Sequence, residues 1–126
     1  MIYGVGVDSC DIRRIERLLN KFGARFTGRL LTPDEQQQPG AKLTQPAWLA
    51  KRFAAKEAVV KAMGTAFTDG LFLRDVRILK NASGQPQVML SARAQARLPA
   101  GASVHVSLSD EGPYAIAFAV VEVLQN

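Results

Sequence analysis

Cysteine is almost missing from this chain. Cys10 is the one thiol, so no intrachain disulfide can form and the core must hold without covalent staples. A reducing compartment fits that usage. Histidine is equally scarce, with His105 alone, and no His/Cys cluster with zinc-ligand spacing exists. Aromatic residues make up only 7%, mostly at core-like positions, so the stacking platforms of a nucleic-acid binder are lacking. No recognition-helix or RNA-binding signature is present, and no nucleic-acid partner is expected. No apolar run approaches the ~20 residues of a membrane span. The N-terminus lacks the basic region and apolar block of a signal peptide, so the expected location is cytoplasmic.

What is present is ordinary for a globular domain. The 126 residues suit one domain spanning 1–126, long enough to bury roughly two-thirds of the unfolded surface. Sixteen Lys and Arg against eleven Asp and Glu leave a formal charge of +5, which favours anionic partners.

The pattern begins with a strand. Ile2, Val5 and Val7 alternate with Gly4 and Gly6, glycines that invite close approach of another backbone. Asp8 or Ser9 is then expected to cap a helix with Asp11 in its first turn, its apolar stripe being Ile12, Ile15, Leu18, Leu19 and Phe22, its stop Gly23. Arg25 to Leu31 reads as a helical turn. Thr32-Pro33-Asp34-Glu35 has the form of a capped helix start. A loop is expected from Gln36 to Pro46, and a long helix from Ala47 to Met63 ended by Gly64. From Leu71 the period changes to two. Val76 to Lys80 and Gln87 to Leu90 form a hairpin through Asn81–Gly84, and Ser91 to Leu98 a short helix. Ser103–Leu108 and Tyr114–Val123 read as strands joined by a turn at Ser109–Pro113. The expected class is α+β, a mainly antiparallel sheet packed against a long central helix.

Two segments carry chemistry. MIYGVGVD is an apolar strand ending on an acid, and RFAAKEAVVKAMGT is an apolar helix bearing Glu57 and Lys61. Asp8 is either a cap or a metal ligand, roles that two carboxylate oxygens can combine. Glu57 shares its face with Phe53 and Val60, and a buried carboxylate requires a partner. Lys61, four residues on, offers an ion pair. The alternative is a hard cation such as Mg²⁺, which takes one or two carboxylates plus phosphate oxygens and water. Lys56, Lys61, Gly64 and Thr65 could hold phosphate, although their order is not that of a P-loop. His105 sits in a strand and reads as structural. Cys10 has no basic neighbour closer than Arg13 and is not expected to be reactive. The arginines at 13, 14, 17, 25 and 29 form either a solvated face or a surface for an acidic partner.

Together MIYGVGVDSCDIRRI, RFAAKEAVVKAMGT and HVSLSDEGPYAIAFAVVE resemble the holo-[acyl-carrier-protein] synthases, of 4′-phosphopantetheinyl transferase fold, over nearly the full length. The resemblance implies transfer of 4′-phosphopantetheine from coenzyme A to a serine of apo acyl carrier protein, with release of adenosine 3′,5′-bisphosphate, in fatty acid biosynthesis. It implies a homotrimer with interface active sites. The metal acids would be Asp8 and Glu57, with Mg²⁺ as cofactor and Lys61 near the coenzyme phosphates; these three residues form the catalytic set. Lys56, Gly64 and Thr65 would line the coenzyme site, with Pro86 near the adenine. Arg14, Arg25 and Arg29 would dock the acidic carrier. One departure is Asp110, where many members carry histidine. Two rival readings are a transferase of broader range, serving polyketide or peptide synthase carriers, and a non-catalytic basic nucleic-acid-binding module.

Overall fold

The computed structural model describes residues 1–124. Strand β1 (Ile2–Asp11) leads into α1 (Ile12–Phe22), α2 (Ala24–Leu30) and the short α3 (Pro33–Gln37). The long helix α4 (Pro46–Ala62) follows, then two 3-10 turns at Phe67–Asp69 and Leu73–Asp75. The hairpin β2 (Val76–Lys80) and β3 (Pro86–Leu90), a single-turn α5 (Ala92–Gln95), and the paired strands β4 (Ala102–Glu111) and β5 (Tyr114–Val123) complete the chain. β5 is the middle of an antiparallel sheet of order β1-β5-β4, while β2 and β3 form a second two-stranded sheet. The α+β expectation holds.

Residue size determines how α4 meets the sheet. β1 turns Gly4, Gly6, Asp8 and Cys10 inward, and β5 turns Ala115, Ala117, Ala119 and Val121 inward. Against them α4 sets Ala54, Ala55, Ala58 and Ala62, all buried. A Cβ on Gly6 would lie 2.1 Å from the Ala58 carbonyl oxygen, and one on Gly4 2.0 Å from that of Ala62. The backbone of β1 therefore lies directly on α4. The other side of α4 packs on α1, β2 and the segments between them, so the helix is buried nearly all round.

Several local expectations shift. β1 runs three residues past Asp8, and Asp11 rather than Asp8 or Ser9 caps α1, its carboxylate accepting from the Arg13 amide at 2.9 Å. The strand pairing with β5 continues to Asp11↔Tyr114, and this overrides the capping preference of Asp8. β4 likewise extends to Glu111, because the ladder continues to Glu111↔Tyr114 and leaves only Gly112 and Pro113 for the turn. Gly23, at φ 54°, ends α1 as expected. Thr32 and Glu35 form the full reciprocal cap at the start of α3.

Gly6→Ala should destabilise the fold by about 3 kcal/mol or more, because the clash is with helix backbone that has no room to relax. Chemical denaturation would measure it. Gly23→Ala, whose added methyl meets nothing, should cost less, and only through its positive φ.

Candidate active site

The close seam between β1 and α4 brings the two acids together. Asp8 comes from the inward face of β1 and Glu57 from the face of α4 turned toward it. Glu57 is half-buried, and its carboxyl is held above the usual carboxylate range, first by burial and then by the negative charge of Asp8. Lys61 and Arg14 oppose that rise, which places Arg14 of α1 within electrostatic reach of Glu57.

Lys61 does not make the ion pair with Glu57 offered by their spacing. Its ammonium crosses to β1, donating to Asp8 Oδ1 at 3.0 Å and to the Val7 carbonyl at 3.1 Å. The lysine remains half exposed, so it can leave this contact for an incoming anion. Glu57 is thus a half-buried carboxylate with no hydrogen bond or ion pair among the described residues. No group of three or more His, Cys, Asp or Glu converges among those residues. Two hard carboxylates suit a cation that completes its shell with phosphate and water.

At the end of α4, Gly64 adopts φ 79° and Thr65 follows. The Thr65 hydroxyl donates to Asp69 Oδ2 at 3.1 Å and accepts from the Arg97 guanidinium at 3.2 Å. Arg97 also binds the Asp69 carbonyl, so it clasps the 65–69 turn.

Lys56, expected to line the coenzyme site, is fully buried in this chain, its ammonium donating to Leu30 O at 2.6 Å, Glu35 Oε1 at 2.8 Å and Leu73 O at 3.1 Å. All three ammonium donors are used within the core. Its position one residue before Glu57 turns it about 100° around the helix, away from β1 and into the core.

Pro86 lies apart from the acids. It lines a groove of about 350 Å³ at the β4 edge with Lys42, Lys51, Arg52, Lys80 and Trp48. Sequence reasoning missed this cation cluster because its members are scattered over 39 positions. Arg52 is 3% exposed, its guanidinium 4.4 Å from the Trp48 ring centroid and its Nε without a hydrogen-bond partner. A buried, incompletely satisfied arginine among three lysines marks an anion site. The signal available in the sequence was an arginine inside a helix that is apolar nearly all round. Asp110 forms a long 3.6 Å ion pair with Lys51 of this cluster.

Arg14 belongs to α1, and Arg25 and Arg29 to α2, which packs on α1. Arg14 sits 5.4 Å over the Phe53 ring, and Arg25 5.9 Å over that of Phe22. Arg25 and Arg29 flank a small apolar cavity formed by Leu18, Phe22 and Phe26. His105 is exposed on β4, 3.3 Å from Glu122, and takes no part in these clusters.

Known proteins are similar to this chain in sequence and in fold. Residues 4–119 match the model of the 4′-phosphopantetheinyl transferase superfamily. The chain is 47% identical to the holo-[acyl-carrier-protein] synthase of Methylobacterium sp. (strain 4-46), over all of this chain and 98% of that protein. The crystal structure of holo-[acyl-carrier-protein] synthase from Neisseria meningitidis superposes with a TM-score of 0.83 at 39% identity, covering 97% of this chain and 99% of that one. The Bacillus anthracis synthase in complex with CoA (3′,5′-ADP) gives 0.77 at 33% identity, covering 98% and 99%. The chain belongs to the 4′-phosphopantetheinyl transferase superfamily and is thereby a transferase. Within it, the similarity is to the holo-[acyl-carrier-protein] synthases, as the sequence motifs implied.

The raised Glu57 carboxyl has a consequence for stability. A carboxyl whose pKa is higher in the folded than in the unfolded state disfavours folding once pH rises through the folded value. Glu57→Gln should therefore melt at or above the native temperature at neutral pH in EDTA. The difference should shrink as pH falls and the native carboxyl protonates. A lower melting temperature for the variant at neutral pH would mean Glu57 is stabilised by a charge partner instead.

Proposed function

We propose that this protein transfers the 4′-phosphopantetheine moiety of coenzyme A to a serine of apo acyl carrier protein, releasing adenosine 3′,5′-bisphosphate, in a reaction dependent on Mg²⁺. The observation that carries the reading is the meeting of Asp8, Glu57 and Lys61 at the β1/α4 seam, within the stretch that matches the superfamily model. The reaction belongs to fatty acid biosynthesis and its expected place is the cytoplasm.

Mg²⁺ held by Asp8 and Glu57 would neutralise pyrophosphate charge and orient the bond to be broken. Lys61 leaves Asp8 and binds the phosphate, countering charge as the carrier serine oxygen attacks the β-phosphorus of coenzyme A. The serine gives up its proton to water, the new P–O bond forms, and the bond from the β-phosphorus to the bridging oxygen breaks, that oxygen departing with the adenosine bisphosphate. Gly64 and Thr65, at the end of α4 beyond Lys61, flank the phosphate path, with Arg97 fixing the turn. Arg52, Lys42, Lys51 and Lys80 around Pro86 suit the phosphorylated adenosine end. Lys51 supplies charge where Asp110 itself cannot, since a carboxylate repels phosphate.

The division of these groups supports a homotrimer. The acids stand at the β1 edge of the sheet and the cation groove at the β4 edge, and none of Asp8, Glu57 or Lys61 lines that groove. A head-to-tail ring would bring the β1 edge of one copy to the β4 edge of the next and complete a site at each junction. The outer face of the sheet supports the same assembly: Val5, Val7, Ile116 and Phe118 form a contiguous apolar patch, 37–60% exposed. Such patches mark interfaces.

Arg14, Arg25 and Arg29 would face the acidic carrier, and Arg14, stacked on Phe53, is within electrostatic reach of Glu57.

The direct test is a mass spectrum of apo acyl carrier protein incubated with this protein, coenzyme A and Mg²⁺. A gain of one phosphopantetheine, absent with EDTA, is expected; an unmodified carrier in both samples would refute the reading. Arg52→Gln should raise the coenzyme A KM about 10- to 100-fold, the worth of a charged hydrogen bond, with the carrier KM little changed. Arg14→Ala should do the reverse. Phe118→Asp should dissociate the assembly in sedimentation and abolish turnover together.

A further inference from the structure

The buried knot around Lys56 performs a task that stability alone does not account for. Its three acceptors belong to three separate segments: the last residue of α2, the first turn of α3, and the 3-10 turn at Leu73–Asp75. Glu35 passes the connection on, accepting from the Thr32 amide at 2.9 Å and the Ile78 amide of β2 at 2.9 Å. Lys56 to Leu30 O is the one hydrogen bond joining α2 to α4 among the described residues. α2 bears Arg25 and Arg29, and Lys56 is followed directly by Glu57 on a rigid helix.

A buried ion pair is weak evidence for stability, because apolar replacements are often as good or better. Three acceptors gathered from three segments are instead what fixes a distance. We propose that Lys56 is a positioning residue: by holding the α2 terminus against α4, it sets the reach between a carrier docked on Arg25 and Arg29 and the reaction centre at Glu57. This rests on the carrier-directed reading above. The seam between β1 and α4 does not pass through the knot, since the glycine contacts at Ala58 and Ala62 form it independently. Loosening Lys56 therefore displaces the docking helix and leaves the acids in place. Displacements of about 1 Å at such distances can cost 10²-fold in rate.

The test compares three proteins with the native one. Lys56→Met cuts the tether but strands the Glu35 charge, so Lys56→Met with Glu35→Gln is the main variant, keeping an acceptor for the Ile78 amide. Glu35→Gln alone leaves Lys56 on its two carbonyls. The double variant should bind coenzyme A within about twofold of native by calorimetry, while its kcat/KM for carrier falls roughly 10- to 100-fold. Glu35→Gln should retain the native carrier KM. A folded double variant with native carrier kinetics would overturn the proposal. So would equal losses toward coenzyme A and carrier, or failure of both Lys56 variants to fold, since either would make the residue structural first. If the native chain modifies no carrier, the functional reading fails before any variant is compared.

Discussion

The contact on which the rest depends is backbone against backbone: Gly4 and Gly6 of β1 lying on the carbonyls of Ala62 and Ala58 in α4. A strand with side chains there would stand off the helix by the thickness of a methyl group or more. Asp8 and Glu57 would separate with it. The spacing of the acids is therefore a consequence of two residues that carry no chemistry. The same approach lets the Lys61 ammonium reach back to the Val7 carbonyl and Asp8, so strand, helix and site share one joint.

The cost of this arrangement falls on the outer face of the sheet. With β1 and β5 spending their small residues on α4, the alternate positions carry the large apolar ones, Val5, Val7, Ile116 and Phe118, and these face solvent in an isolated chain. Period-two alternation leaves no other choice: each strand has two faces, and both are apolar. A sheet apolar on both sides with a layer on only one is unfinished. The charged groups are divided in the same way, acids at the β1 edge and cations at the β4 edge, so the cyclic assembly proposed above would cover the face and bring the two sets together in one step.

Much of this was legible from sequence where local pattern and tertiary need agree. The two glycines in β1, the reciprocal cap at Thr32 and Glu35, the Gly23 stop, the hairpin and the long helix all follow from residue types that satisfy their neighbours in only one way. The family motifs singled out Asp8, Glu57 and Lys61, and the structure brings these three side chains within reach of one another. What local pattern could not supply was the outcome of competition between elements. Asp8 is a good cap, but the β1–β5 ladder outlasts it and hands that task to Asp11. Lys61 is correctly spaced for Glu57, yet the strand lies closer. Lys56 stands in the same motif as Lys61 and reads there as a second candidate for holding phosphate. Its partner Glu35 is 21 residues away and its other acceptors are main-chain oxygens, which no side-chain pattern records. The cation groove was hidden for the same reason, its residues drawn from three separate stretches.

Helix geometry explains how one segment serves all these ends. Residues four apart are separated by about 40° and those one apart by about 100°. Trp48, Arg52 and Lys56 thus fall on one stripe of α4, and Phe53, Glu57 and Lys61 on the next. The first stripe turns from the β4 groove into the core: Arg52 stacks on Trp48 and keeps an unsatisfied nitrogen, while Lys56 satisfies every donor it has. The second stripe turns toward β1 and remains half open. Burial moves the two charges in opposite directions, lowering the Lys56 ammonium pKa against the pull of Glu35 and raising the Glu57 carboxyl. Only the lysine has protein oxygens to compensate. A divalent cation would supply what the carboxylate lacks, so the same helix that fixes the fold on one stripe leaves a charge open to a partner on the other.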